Sequence, residues 1–241
     1  MEPGIVYEDA GLAVINKPCG MVVNKAQTVK GMTVQEWFVD KFKIQSTNSQ
    51  DEGTEFGQKG GVVHRLDKDT SGLMVLAKTP EAYEKLKQQF LERKTEKRYL
   101  ALVHGEFSEE EGEIVKPVER HPVERKKFTV GEDLSRTAIT QWRVVKKYQK
   151  EGEKFCLVEL APHTGRTHQL RVHMQYLHHP IVADPLYGFA KKIKTDAAWC
   201  PRLFLHAGYL EFTHPATGKR VSFSAELPGE LREVLAGMQT D

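Results

Sequence analysis

Cysteine is scarce in this chain. Cys19, Cys156 and Cys200 are widely spaced, odd in number and match no zinc-ligand spacing. That excludes a disulfide scaffold and a zinc ribbon, and predicts reduced thiols in a cytoplasmic protein. Long apolar runs are missing too, so no membrane span is expected, and Met1-Glu2-Pro3-Gly4 has neither the basic nor the apolar region of a secretory leader. There is no G-x-G-x-x-G and no Walker pattern to cradle a nucleotide phosphate, and there is no internal repeat. Nor is there an excess of one charge: 35 basic against 33 acidic residues leave a net +2, so a polyanion would need positive charge gathered on one face.

What the 241 residues do contain is organised around Val63-His64-Arg65-Leu66-Asp67-Lys68-Asp69-Thr70-Ser71-Gly72, continuing into Leu73-Met74-Val75-Leu76-Ala77-Lys78. The second half reads as a short buried strand stopped by Thr79-Pro80. The first half is polar and turn-rich, with side chains that satisfy backbone groups locally. A carboxylate on a turn that feeds a buried strand stands on a rigid support, where chemistry is usually placed. Taken alone, Asp67 would more simply be a residue that ties up its own turn.

Other elements follow from pattern. Gly11 to Pro18 reads as a strand ended by proline. Thr33-Val34-Gln35-Glu36 is a capping box opening a helix from Val34 to about Phe42. Gln45 to Lys59 is polar and predicts a mobile loop. Thr79 and Pro80 open a helix to about Arg93, with Tyr83, Leu86 and Phe90 inward. Lys94 to Gly105 runs from a basic tract into a strand on which Tyr99, Ala101 and Val103 share a face. Glu109 to Glu113 reads as a solvated acidic turn. Ser135 to Thr140 resumes a strand, and hairpins are predicted across Lys150-Glu151-Gly152 and Pro215-Ala216-Thr217-Gly218. A last helix starts at Pro228 and buries Leu231, Val234, Leu235 and Met238.

Two stretches stand out by charge. Arg120-His121-Pro122-Val123-Glu124-Arg125-Lys126-Lys127-Phe128 sets basic residues around a proline, suited to phosphate neutralisation. Between Ala161 and Ala183 there are two arginines, five histidines and no acid, within His163-Thr164-Gly165-Arg166-Thr167-His168-Gln169-Leu170-Arg171-Val172-His173-Met174 and its continuation. Such a stretch attracts either phosphate or a buried carboxylate. Thr167 is expected to cap a helix whose inner face carries Leu170, Met174 and Leu177. The histidines lack the companions of a metal site: no His-Glu-x-x-His, no paired cysteine and no nearby carboxylate set, so no metal is expected.

His64-Arg65-Leu66-Asp67 with Thr70-Ser71-Gly72 resembles the catalytic motif of the RluA-type RNA pseudouridine synthases. Asn16-Lys17-Pro18, the Lys94–Gly105 stretch, Thr164-Gly165-Arg166-Thr167-His168-Gln169-Leu170-Arg171-Val172-His173 and His179 to Gly188 resemble further motifs of the same family, so the likeness runs over almost the whole chain. It implies an α+β fold with one catalytic domain over residues 1–241, a bent, mainly antiparallel or mixed sheet of two halves and a central cleft. It also implies that the family's N-terminal S4-like RNA-binding domain is not part of this chain.

The resemblance implies roles as well. Asp67 would act at the ribose, as nucleophile at C1′ or as base at the neighbouring carbon. Tyr99 would stack on the uracil, and Arg171 would pair with Asp67, with Arg166 the competing candidate. Arg65 and Leu66 would guard the gap left by a flipped base. Arg120, Arg125, Lys126, Lys127, Arg166 and His168 would meet the RNA. No cofactor is implied, because the reaction is an isomerisation. The partner would be a stem-loop of ribosomal or transfer RNA, and the protein a monomer with no membrane association. The rival readings are a metal-dependent nuclease using Asp67, Asp69 and histidines, and a non-catalytic RNA-binding module.

Overall fold

A computed structural model describes residues 2–44 and 54–240. The backbone divides into two compact units, residues 1–96 with 209–225 and residues 97–208 with 226–241. Both mix strands and helices, as the α+β expectation requires.

The first unit begins with β1 (Gly4–Glu8) and β2 (Leu12–Lys17), followed by α1 (Val34–Phe42), α2 (Glu55–Lys59), β3 (Ser71–Ala77) and α3 (Pro80–Leu91). The chain returns to it through β9 (Leu205–Thr213) and β10 (Arg220–Ser224). β3 is buried at all seven positions, the pattern of a central strand covered on both faces. Its alternate residues Leu73, Val75 and Ala77 pack with Ala82, Tyr83 and Leu86 of α3 and with Leu12 and Val14 of β2. The capping box at Thr33 and Glu36 forms in both directions, and Thr79 caps α3 with Pro80 in its first turn. Gly61 is required where it stands: with φ of 79°, a Cβ there would come 2.1 Å from the Ala77 carbonyl oxygen.

One loop boundary is corrected. The expected loop over residues 45–59 falls outside the described residues at 45–53. Its end, however, is the helix α2, capped by the Thr54 hydroxyl and pinned by the buried Phe56.

The second unit contains β4 (Glu96–His104), β5 (Glu111–Arg120), β6 (Phe128–Val130), a 3-10 turn at Leu134–Arg136, β7 (Thr137–Lys150) and β8 (Glu153–Pro162). After them come α4 (Gln169–Tyr176), α5 (Ile193–Trp199), α6 (Gly229–Ala236) and β11 (Gln239–Thr240). The strands pair antiparallel in the order β4-β8-β7-β5-β6. Glu151 and Gly152, both at positive φ, make the two-residue turn between β7 and β8. The predicted acidic turn is shorter than expected, because Glu111 and Glu113 already belong to β5 on an exposed edge of its pattern.

Thr167 does not cap α4. The residue before the helix is His168 in the left-handed region, with no side-chain cap. Gln169 supplies the local order instead: its Oε1 accepts from the Arg166 backbone N–H and the Thr164 hydroxyl, and its Nε2 donates to Ile139 O and Thr140 Oγ1. Six consecutive residues of α4, Gln169 to Met174, are buried, so this helix is enclosed on more than the one face the periodicity suggests.

His173 lies in that enclosure, with Nδ1 2.9 Å from Thr140 Oγ1 and Nε2 3.3 Å from the Lys116 carbonyl. Burial pushes its pKa down from 6.5 to about 4. The folded chain therefore holds this imidazole neutral while the unfolded chain protonates it. Stability from this group is intact above pH 6.5 and falls as pH drops towards 4, by at most about 3 kcal/mol. Urea unfolding across that window is expected to show this slope in wild type and a flatter one in His173→Gln.

Candidate active site

The antiparallel register of β2 on β3 places Lys17 opposite Gly72, so the exit of β2 and the entry to β3 lie at one end of the first unit. Lys17 is fully buried, and its ammonium donates to Pro18 O at 2.9 Å, Met21 O at 2.9 Å and Lys68 O at 3.0 Å. Three donors meet three carbonyls, which is what a buried ammonium needs to offset its lost hydration. Gly20 N donates to the same Lys68 carbonyl at 2.9 Å, and Cys19 Sγ donates to Asp69 O at 3.2 Å. The loop over residues 65–70 is thereby bound immediately after Asp67, at Lys68 and Asp69, and Thr70 N closes its turn onto Asp67 O at 3.2 Å.

His64 also has a structural task. Its Nε2 accepts the Val75 backbone N–H at 3.1 Å, and its ring stacks on Phe90 at 4.3 Å between centroids. Asp67 is half-buried and Arg65 exposed, whereas Leu66 is buried, with 5% of its surface exposed. Leu66 is therefore part of the packing beneath the loop, and Arg65 and Lys68 are the side chains the loop exposes.

In the second unit Tyr99 sits on β4 in register with Leu160 of β8, half-buried against the core. Arg171 is almost fully buried, and it has a partner the sequence reading did not name. Its Nε donates to Asp184 Oδ2 and its Nη2 to Asp184 Oδ1, both at 2.7 Å. This bidentate pair uses one edge of the guanidinium fork. Asp184 is the first acid after the acid-free stretch, so that stretch does attract a buried carboxylate. The charge gap itself was the signal for Asp184.

Arg166 donates from Nη2 to Ser135 O at 3.2 Å and keeps a buried Nε without a hydrogen-bond partner. His168 Nδ1 lies 2.8 Å from the Tyr187 hydroxyl. β5 and β6 form a hairpin arm whose last pair is Arg120 with Phe128. Its tip exposes Arg125 and Lys126, and His121 Nδ1 accepts from the N–H groups of Val123 and Glu124 to shape it. Arg120 lies over the Phe128 ring at 5.3 Å and donates to Arg125 O. Lys127 is compensated by Glu124 at 2.8 Å, which makes it the weakest phosphate donor of the four.

The histidines do not converge. His173 and His168 are engaged as described, and His179 Nδ1 bonds the His104 carbonyl. Among the described residues no group of three or more His, Cys, Asp or Glu side chains is arranged for a metal ion.

The family model for RNA pseudouridylate synthase matches residues 11–176. The chain belongs to that family. This RNA pseudouridine synthase is 38% identical over 240 residues to the uncharacterised RNA pseudouridine synthase YlyB of Bacillus subtilis, covering 99% of this chain and 74% of that protein. It is 36% identical over 249 residues to ribosomal large subunit pseudouridine synthase D of Pseudomonas aeruginosa, covering 100% of this chain and 73% of that one. Among solved structures, human RNA pseudouridylate synthase domain containing 1 matches with a TM-score of 0.76 at 26% identity, over 100% of this chain and 89% of that chain. Human RNA pseudouridylate synthase domain containing 4 shares the fold, with a TM-score of 0.73 at 23% identity over 98% and 94% of the two chains. The synthase is thus an RNA-directed enzyme of α+β fold, and no described helix is long and apolar enough to cross a membrane.

Lys17, His64, Gln169, Asp184 and Tyr187 were given no role from sequence, although all lie inside the motif stretches. Each works by holding backbone or another side chain, which residue identity alone does not announce. Lys17→Met removes three bonds to partly buried carbonyls and is expected to cost about 2–3 kcal/mol, read from denaturant unfolding. An unchanged midpoint would show that the three carbonyls find other donors.

Proposed function

We propose that this enzyme isomerises uridine in structured large-subunit ribosomal RNA, with Asp67 as its catalytic carboxylate. The observation that carries the catalytic part is the Asp67 loop, a half-buried carboxylate followed by Lys68 and Asp69, whose carbonyls are held by Lys17 and Cys19, and leading directly into the most enclosed strand of its unit. The ribosomal address is supported by the name of the synthase D relative.

In this reading the target nucleotide leaves its stack and is presented to Asp67. The N1–C1′ bond breaks, the uracil turns, a C5–C1′ bond forms, the C5 proton leaves and N1 gains one. Asp67 serves the sugar, as nucleophile at C1′ or as base at its neighbour. Tyr99 stacks on the uracil, and Arg171, held on α4 by Asp184, pairs with Asp67, with Arg166 the competing candidate. Arg65 guards the vacated stack. Arg120, Arg125, Lys126, Arg166 and His168, with Lys127 contributing least, take the RNA backbone. Nothing is oxidised or hydrolysed, so the balance calls for no cofactor. The enzyme acts as a monomer in the cytoplasm.

Release of tritium from RNA carrying 5-³H-uridine reports loss of the C5 hydrogen directly. Unmodified large-subunit ribosomal RNA is expected to release label with or without chelator, and bulk transfer RNA far more slowly. Preferential release from transfer RNA would overturn the ribosomal address, and strict chelator sensitivity would overturn the cofactor-free chemistry. Arg125→Ala with Lys126→Ala is expected to weaken RNA binding and to reduce the dependence of log K on log salt by about two, one for each lost phosphate contact. An unchanged salt slope in a titration would remove the arm from the interface.

A further inference from the structure

Asp184 and Tyr187 lie at the two ends of one short turn, and each grips a residue that the reading above gives to catalysis or RNA. Asp184 is wholly buried and accepts four hydrogen bonds: from Arg171 Nε and Nη2 at 2.7 Å, from Leu186 N at 2.9 Å and from Tyr187 N at 3.0 Å. The two backbone bonds clamp the turn onto the carboxylate that holds the arginine. Gly188 completes the turn, its N–H donating to the Asp184 carbonyl at 3.1 Å, and a Cβ there would stand 2.6 Å from that oxygen.

Tyr187 carries the connection outward. Its ring lies under the Arg171 guanidinium at 5.0 Å, and 1% of its surface is exposed. Its hydroxyl accepts the Phe128 backbone N–H at 2.8 Å and shares a hydrogen bond with His168 Nδ1 at 2.8 Å. Phe128 is the first residue of β6, where the basic tip of the arm rejoins the sheet, and Val130, Leu186 and Tyr187 pack there with Val118, Ala138 and Val172. One side chain thus touches the arginine, the histidine before α4 and the root of the arm.

A buried ion pair is a poor source of stability, because well-packed apolar residues of the same volume serve as well or better. What an apolar replacement cannot supply is a guanidinium fixed in direction and an arm root fixed in register. We propose that the Asp184–Tyr187 turn is a positioning device that sets Arg171 and the base of the basic arm together, so that RNA seated on the arm meets an already oriented arginine. This rests on the reading of Arg171 as a group of the reaction and of the arm as RNA-binding.

The test separates rate from affinity in single-turnover tritium release on ribosomal RNA, with thermal melting of every variant. Asp184→Asn keeps the shape but loses the charged bidentate acceptor, and is expected to lower the saturated rate roughly 10- to 100-fold with a smaller change in KM. Tyr187→Phe keeps the ring and loses the hydroxyl, and is expected to raise KM about fivefold, with the larger part of its effect on KM. Asp184→Glu is expected to restore part of the rate. Equal loss of rate and affinity in both variants, tracking the melting temperature, would mean a merely structural turn and would overturn the proposal. Tyr187→Phe supplies this test on its own if Asp184→Asn does not fold. Arg171→Gln distinguishes the two levels: if it abolishes the rate while Asp184→Asn does not lower it, the positioning role fails and the catalytic reading of Arg171 stands. If Arg171→Gln leaves the rate intact, the catalytic reading itself fails.

Discussion

A charge cannot be taken out of water unless every bond it made there is replaced, and that constraint shapes both units of this protein. In the second unit the Arg171–Asp184 pair is nearly inaccessible, and four hydrogen bonds converge on the one carboxylate. Remove Arg171 and Asp184 loses its charged partner while staying buried, the costly half of the asymmetry. The first unit meets the same demand with Lys17 and three backbone carbonyls. In each case the charge fixes the backbone or side chain next to a residue of the family motifs. Rigidity at those points follows from electrostatics, with apolar packing around it.

The distribution of positive charge follows the same economy. A net charge of +2 gives the molecule little long-range attraction for RNA. The exposed cations Arg125 and Lys126 sit together on a hairpin tip, where Glu124 is paired with Lys127. Local concentration of charge substitutes for an overall excess, and it makes the contact sensitive to salt.

Much of the fold was legible in the sequence wherever one local rule decided it. The capping box at Thr33, Pro80 behind Thr79, the continuous apolar run of β3 and the Glu151-Gly152 turn each name their structure through backbone chemistry of a few residues. The start of α4 was not legible, because its order comes from Gln169 reaching across to Ile139 and Thr140, contacts distant in sequence. α2 was missed because one buried Phe56 outweighed a polar composition. In the candidate site the motif residues were visible by type. Their supports were not, since a lysine that binds carbonyls and an aspartate that binds an arginine look, in sequence, like any surface charge.

Asp67 on its fastened loop is the claim on which the catalytic account stands. The most direct measurement is single-turnover tritium release by Asp67→Asn, alongside RNA binding and thermal melting of the same preparation. Binding and melting are expected to stay close to wild type, with release lowered at least about a thousandfold. Release within about tenfold of wild type from a folded, RNA-binding Asp67→Asn protein would contradict it and move the chemistry to another residue.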